Sequence, residues 1–379
     1  MVQEWNTMHL AIERTGDFAH IAACAHNLAQ QEGVGSLLIL AAGKAKPEPW
    51  NDLLASLPIP AFGGCFPGVI THDECFEQGA ICLALPSVPS FIAIPSLNDP
   101  KIDLHALLQA QADGQKARLA IVLVDGWAYR IDDLVDALFD HLGMSIPVIG
   151  GGVGLLGDEA SPSLITPWGL QAEGALLALL DLPAAVGAGH GWQAIAGPFE
   201  VTEADGNVIL GLDWQAALDV YRGVVEPHSG HDLDPEHFFD LAKAYPFGMA
   251  RLDAEFVVRD PVRIEQDHGL RCVGEVPTGS LLHILHGKPD GLIEAALKAR
   301  HDAEQRLPQG MQPCIDLVFD CISRALFLGN HYANELAALN SGQRPLIGAL
   351  TLGEIAGHGS NYLEFHNKTT TVALLGEPT

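Results

Sequence analysis

The chain has 379 residues, with 20 Lys and Arg against 47 Asp and Glu and a formal net charge of −27. It is 48% hydrophobic and 18% charged, the balance of a chain that buries large cores and has room for two or three domains. So acidic a surface repels phosphate backbones and anionic lipid, which excludes nucleic acid and membrane surfaces as expected partners.

No apolar run reaches the roughly 18 to 20 residues a membrane-spanning helix needs. The opening MVQEWNTMHLAIERTG has neither the basic n-region nor the apolar h-region of a secretory signal, so the expected location is cytoplasmic. Seven scattered cysteines (Cys24, Cys65, Cys75, Cys82, Cys272, Cys314 and Cys321) lie mostly in apolar stretches, as reduced buried thiols do. None forms a C-x-x-C or C-x-x-C-H pattern, so any haem would be held non-covalently.

Taken in chain order, the predicted elements repeat. An apolar strand is followed by a helical stretch, then by P-x-x-G entering a second strand, then by a turn-rich segment and a last apolar strand. The first copy has Leu37-Leu38-Ile39-Leu40, a helix around Leu53-Leu54-Ala55, Pro60-Ala61-Phe62-Gly63 and Ala80-Ile81-Cys82-Leu83-Ala84-Leu85. The second has Ile121-Val122-Leu123-Val124, a helix over 134–139, Pro147-Val148-Ile149-Gly150 and Ala175-Leu176-Leu177-Ala178-Leu179-Leu180. The third has Ile315-Asp316-Leu317-Val318-Phe319, a helix over 335–339, Pro345-Leu346-Ile347-Gly348 and Thr371-Val372-Ala373-Leu374-Leu375. Apolar runs this short, bounded by Gly, Pro or Asp, read as strands buried on both faces.

Between the second and third copies the pattern changes. Residues 199–202 and 208–210, around the turn signal Asp205-Gly206-Asn207, read as a hairpin, followed by a helix over 214–221. The polar, turn-rich segment 227–236 is the expected linker between domains 1–226 and 237–379. A further amphipathic helix covers 293–306. Gly152-Val153-Gly154-Leu155-Leu156-Gly157 satisfies G-x-G-x-x-G, but the acidic, proline-broken residues after it do not open the helix a dinucleotide site requires. The expected fold is α/β, with two domains of mixed β-sheets flanked by helices and built from repeated strand–helix–strand–strand units.

Three motifs stand in order near the C-terminus: Asp320-Cys321-Ile322-Ser323-Arg324, then Gly353-Glu354-Ile355, then His366-Asn367-Lys368-Thr369. They resemble the C-terminal FIST (F-box and intracellular signal transduction) domain. Residues 147–152, the hairpin and the helix over 214–221 resemble its N-terminal partner domain. The resemblance implies a bacterial sensory protein for a small ligand. It extends to haem-binding, nitric-oxide-sensing members, with haem b held non-covalently and output through a separate histidine kinase or cyclic-dinucleotide enzyme.

At the strand ends of the third copy, where α/β folds place ligands, the candidate ligand-binding residues are Cys321, Arg324, Glu354, His366 and Asn367. Arg324 offers a planar fork for a carboxylate, and Glu354 would pair with it or hold an amine. Asn367 both donates and accepts, and His366 titrates near neutrality. On this reading Arg324→Ala folds and loses its ligand. The other reading of the same residues is a buried structural network, and the rival function is an enzyme acting on a small carboxylate through Cys321, Arg324, Glu354 and His366. Glycine-flanked His190 is the first candidate axial ligand for haem, ahead of His366 and of His228, His231 and His237 in the linker.

Overall fold

The computed structural model describes residues 2–5, 8–112, 117–157, 161–251, 255–265, 268–358 and 361–378. The three copies are three like units. In each, the first strand pairs in parallel with the second and antiparallel with the last. Ser36–Ala42 lies between Ala61–Phe66 and Gly79–Leu85, and Leu119–Asp125 between Val148–Val153 and Ala175–Leu180. In the third unit Met311–Cys321 lies between Leu346–Thr351 and Thr370–Pro378. Pro60, Pro147 and Pro345 each stand immediately before the second strand, where a missing N–H costs least.

The turn-rich segment of each unit is itself a short hairpin, and it pairs with the second strand of a different unit. Val69–Thr71 and Glu74–Phe76 extend the third sheet, Leu164–Thr166 and Gly169–Gln171 the first, and Glu354–His358 and Asn361–His366 the second. The expected strand–helix–strand–strand unit therefore gains a hairpin given away cyclically. A further strand lies beside the last strand of each sheet: Met8–Glu13, itself flanked by the edge strand Val2–Trp5, and the edge strands Ser90–Ile94 and Ala184–Gly189.

Strand alternation gives each sheet two buried faces. Leu38 and Leu40, Ile121 and Leu123, and Leu317 and Phe319 all point into one core shared by the three sheets. Leu37 and Ile39, and likewise Val122 and Val124, point outward under helices. Phe18–Ala29 and Pro47–Ser56 cover the first sheet, Leu104–Ala112 and Ile131–Leu142 the second, and Pro289–Gln305 and Tyr332–Leu339 the third.

The third unit carries an insertion between its edge strand and its helix Pro289–Gln305. The expected hairpin is present, with Asp205 opposite Val208. Its long strand Gln193–Asp205 pairs with Leu281–His286 along one half and with Val208–Leu212 along the other. Phe247–Met249, Val257–Ile264 and Leu270–Val273 close the circuit into a barrel. The helix after the hairpin runs as Ala217–Ser229, with Pro227 in its last turn and Gly230 (φ +74°) ending it. Segment 227–236 thus lies within the barrel, and strands from before and after it pair in one sheet. The segment after Val153 leads into the hairpin Leu164–Thr166, with residues 158–160 outside the described residues, and no helix opens on the described part. Among the described residues no helix is long and apolar enough to cross a membrane.

Candidate functional site

The C-terminal motifs come together, but under the surface. Arg324 is fully buried and donates five hydrogen bonds: two to Glu335 (2.9 and 2.8 Å), and one each to the carbonyls of His190 (2.6 Å), Lys368 (3.1 Å) and Leu292 (3.0 Å). Asp320 lies 3.3 Å from its Nε. The expected Arg324–Glu354 pair is absent, and Arg324 presents no free donor edge to a ligand. Glu354 instead accepts from the Thr351 hydroxyl (2.7 Å) and the Thr369 N–H (3.2 Å). Burial pushes its carboxyl well above the ordinary carboxylate range. Burial likewise pushes the Cys321 thiol far up, which leaves no thiolate for nucleophilic work.

Asn367 is buried and accepts the Asp260 N–H (3.4 Å). His366, half-buried, stands opposite Glu354 in the strand pair. Lys368, in the same motif, is a buried ammonium 3.1 Å from Asp260, bonded to the Lys243 carbonyl (2.9 Å) and 5.2 Å from the Trp192 ring centroid. These contacts tie the motif residues into one another and into their neighbours beneath the surface. His228 bonds the Tyr245 hydroxyl, and His237 bonds Asp234.

His190, whose carbonyl accepts from Arg324, follows the end of Ala184–Gly189. Gly187 and Gly189 in this strand and Gly191 just past its end recur every second residue. A Cβ on each would meet the carbonyl oxygens of Ala299 (2.0 Å), Ala295 (2.7 Å) and Gly291 (2.4 Å). Two strand residues advance about 6.6 Å and four helix residues about 6 Å, so a glycine stripe beds a helix backbone directly on the strand. The glycines on either side of His190 admit the backbone of the helix Pro289–Gln305.

Where that bed ends, helix, strand end and barrel leave a groove of about 700 Å³, lined by His190, Trp192, Glu255, Phe256, Glu294 and Lys298 among others. His190 is 6% exposed. Its Nδ1 accepts the Trp192 N–H (2.9 Å), so the neutral ring carries its proton on Nε2. That Nε2 is buried and has no hydrogen-bond partner among the described residues; Glu255 lies 3.7 Å away. Burial, then the Arg324 charge, lowers the His190 pKa to about 3. Arg324 holds the groove from behind, since its guanidinium joins the His190 and Leu292 carbonyls.

An axial histidine coordinates iron through one nitrogen while the other donates its N–H. His190 has the opposite arrangement, with an accepting Nδ1 and a protonated Nε2, so it does not fit haem without losing the Trp192 bond. No group of three or more His, Cys, Asp or Glu side chains among the described residues is placed to hold a metal ion.

The sign of the His190 shift gives a testable consequence. Its folded pKa lies below the unfolded value of about 6.5, so below that pH the unfolded chain takes up a proton the folded one refuses. Between pH 6 and pH 4 the wild type is expected to lose stability faster than His190→Gln, by about 1.4 kcal/mol per pH unit. Urea denaturation of both proteins across that range checks this, and parallel curves would mean that His190 is not held neutral.

The fold is thus a three-sheet α/β body with an inserted barrel and a groove of about 700 Å³ at their junction. The chain belongs to the FIST family: residues 37–215 match the FIST N domain and residues 217–357 the FIST C domain. FIST domains bind small ligands in signal transduction. No curated protein matches the sequence. Among solved structures, the chain is similar to PurLQS from Thermotoga maritima, at 9% identity and a TM-score of 0.20 over 99% of this chain and 73% of that one. It is also similar to T. maritima PurL complexed with ADP, at 8% identity and a TM-score of 0.20 over 100% of this chain and 73% of that one.

The sequence reading missed Glu255, Lys298, Glu335, Asp260 and Lys368. Lys298 had a signal: residues 291, 294, 298, 302 and 305 recur at helical spacing on one face of Pro289–Gln305.

Proposed function

We propose that this protein is a ligand-responsive signalling component whose ligand enters the groove beside His190. The observation that carries this reading is the buried, unpartnered Nε2–H at the junction of barrel and three-sheet body. An unpaired buried donor costs about 1 to 3 kcal/mol, and a ligand acceptor recovers it. Binding there loads both walls of the groove, and Arg324 ties two of its backbone segments to the buried network. Output passes to a separate protein, a histidine kinase or a cyclic-dinucleotide enzyme.

The haem and nitric oxide version requires a free lone pair on His190, and the Trp192 hydrogen bond counts against it. Thermal-shift screening of small oxygen-bearing metabolites against wild type and His190→Phe tests the reading. Ligands that stabilise only the wild type are expected. A Soret band that appears with added haem and disappears in His190→Phe would replace this reading with the haem one.

A further inference from the structure

Glu255 lies just before the barrel strand Val257–Ile264, and its side chain is 56% exposed. Its two carboxylate oxygens face two different donors. Oε2 is 3.7 Å from His190 Nε2, and Oε1 is 3.7 Å from Lys298 Nζ. Both separations exceed a hydrogen bond, for which 2.7–3.2 Å is usual, so one carboxylate spans two donors and satisfies neither. Lys298 meets Asp302 at 2.8 Å, but His190 Nε2 has no other partner among the described residues. A tethered side chain thus occupies the place of a carboxylate without making its bonds.

We infer that the groove takes a small organic carboxylate, and that Glu255 keeps its place until the ligand displaces it. The inference rests on the groove being the ligand site. A ligand carboxylate free of the backbone moves in to bonding distance of both donors. The neutral Nε2–H demands an acceptor, and the Lys298 ammonium prefers a charged one. Phe256, Ala295 and Leu297 line the same groove and suit a short apolar tail. The net charge of −27 opposes an incoming anion, but salt screens that field within about 8 Å, whereas the two donors act in direct contact.

Isothermal titration of butyrate, 3-phenylpropionate and their amides into wild type, Glu255→Ala, Lys298→Met and His190→Gln tests the inference. Removing the resident carboxylate is expected to tighten carboxylate binding about tenfold, the worth of one charge-assisted hydrogen bond. The amides should gain little, and Lys298→Met and His190→Gln should each weaken the carboxylates. Circular dichroism establishes that each variant is folded. Carboxylates binding no tighter to Glu255→Ala, or amides binding as well as carboxylates, would overturn the carboxylate assignment. If the amides still depended on His190, the groove would stand as the ligand site. No binding by any probe to any variant would overturn both.

Discussion

Alanine at Gly150 is expected to leave the protein unable to reach its native fold. A Cβ there would lie 1.7 Å from the Val122 carbonyl oxygen and 2.6 Å from its carbon. Both are backbone atoms of the paired parallel strand, Gly150 being in register with Val122, so no rotamer relieves the clash. Separating the two strands would also pull Gly150 from Ile355, its partner in the hairpin received from the third unit. Overpacking a core side chain costs about 1 to 3 kcal/mol. A backbone collision exceeds that and consumes much of a net stability of about 5 to 15 kcal/mol.

Gly63 and Gly348 hold the same place. A Cβ on them would stand 1.8 Å from the Ile39 oxygen and 2.1 Å from the Val318 oxygen, and each is paired with a hairpin isoleucine, Ile165 or Ile70. Gly143→Ala is the control. Gly143 has φ +62° and ψ −158°, a conformation essentially restricted to glycine, and no neighbour within 4 Å of its Cβ, so its cost is the conformational one, about 1 to 3 kcal/mol. Soluble yield, far-UV circular dichroism and urea midpoints decide. A Gly150→Ala protein as stable as Gly143→Ala would remove the physical basis of the shared P-x-x-G.

That glycine slot shows what was legible in the sequence. Three apolar strands and three P-x-x-G entries report local backbone demands, and each unit is found where those signals place it. The exchanged hairpins were not legible. Val69–Thr71 and Leu164–Thr166 are three residues long, and their pairing is with a unit far away in sequence. The polar stretch from Pro227 looks like a linker because its prolines and glycine break regular structure locally. The barrel strands that pair across it are a tertiary fact. Arg324 announced itself as a residue needing acceptors, but Glu335 and Glu354 were equally eligible by charge. The turn between Ile322–Leu328 and Tyr332–Leu339 brings Glu335 to the guanidinium. Glu255 and Lys298 are ordinary surface charges one at a time. Only the placing of Glu255 3.7 Å from both Lys298 and His190 marks them.

Arg324→Met is expected to unfold the third unit rather than to silence a folded sensor. The substitution leaves Asp320 and Glu335 in the interior without their cation, and it strips donors from the carbonyls of His190, Leu292 and Lys368. Breaking a buried pair from one side costs about 3 to 5 kcal/mol. The three carbonyls add about 1 kcal/mol each where water does not reach them. Acid should partly rescue the variant. Burial, and after it the neighbouring Glu335, already raises the Asp320 pKa well above its usual value, and loss of the guanidinium removes an opposing influence. A carboxyl with a raised folded pKa binds its proton more tightly in the folded chain than in the unfolded one. The deficit should therefore shrink as pH falls from 7.5 toward 5.5. Urea midpoints of wild type and Arg324→Met at those two pH values measure it. A variant that melts with the wild type at pH 7.5 and has lost only its ligand response would return Arg324 to the binding site.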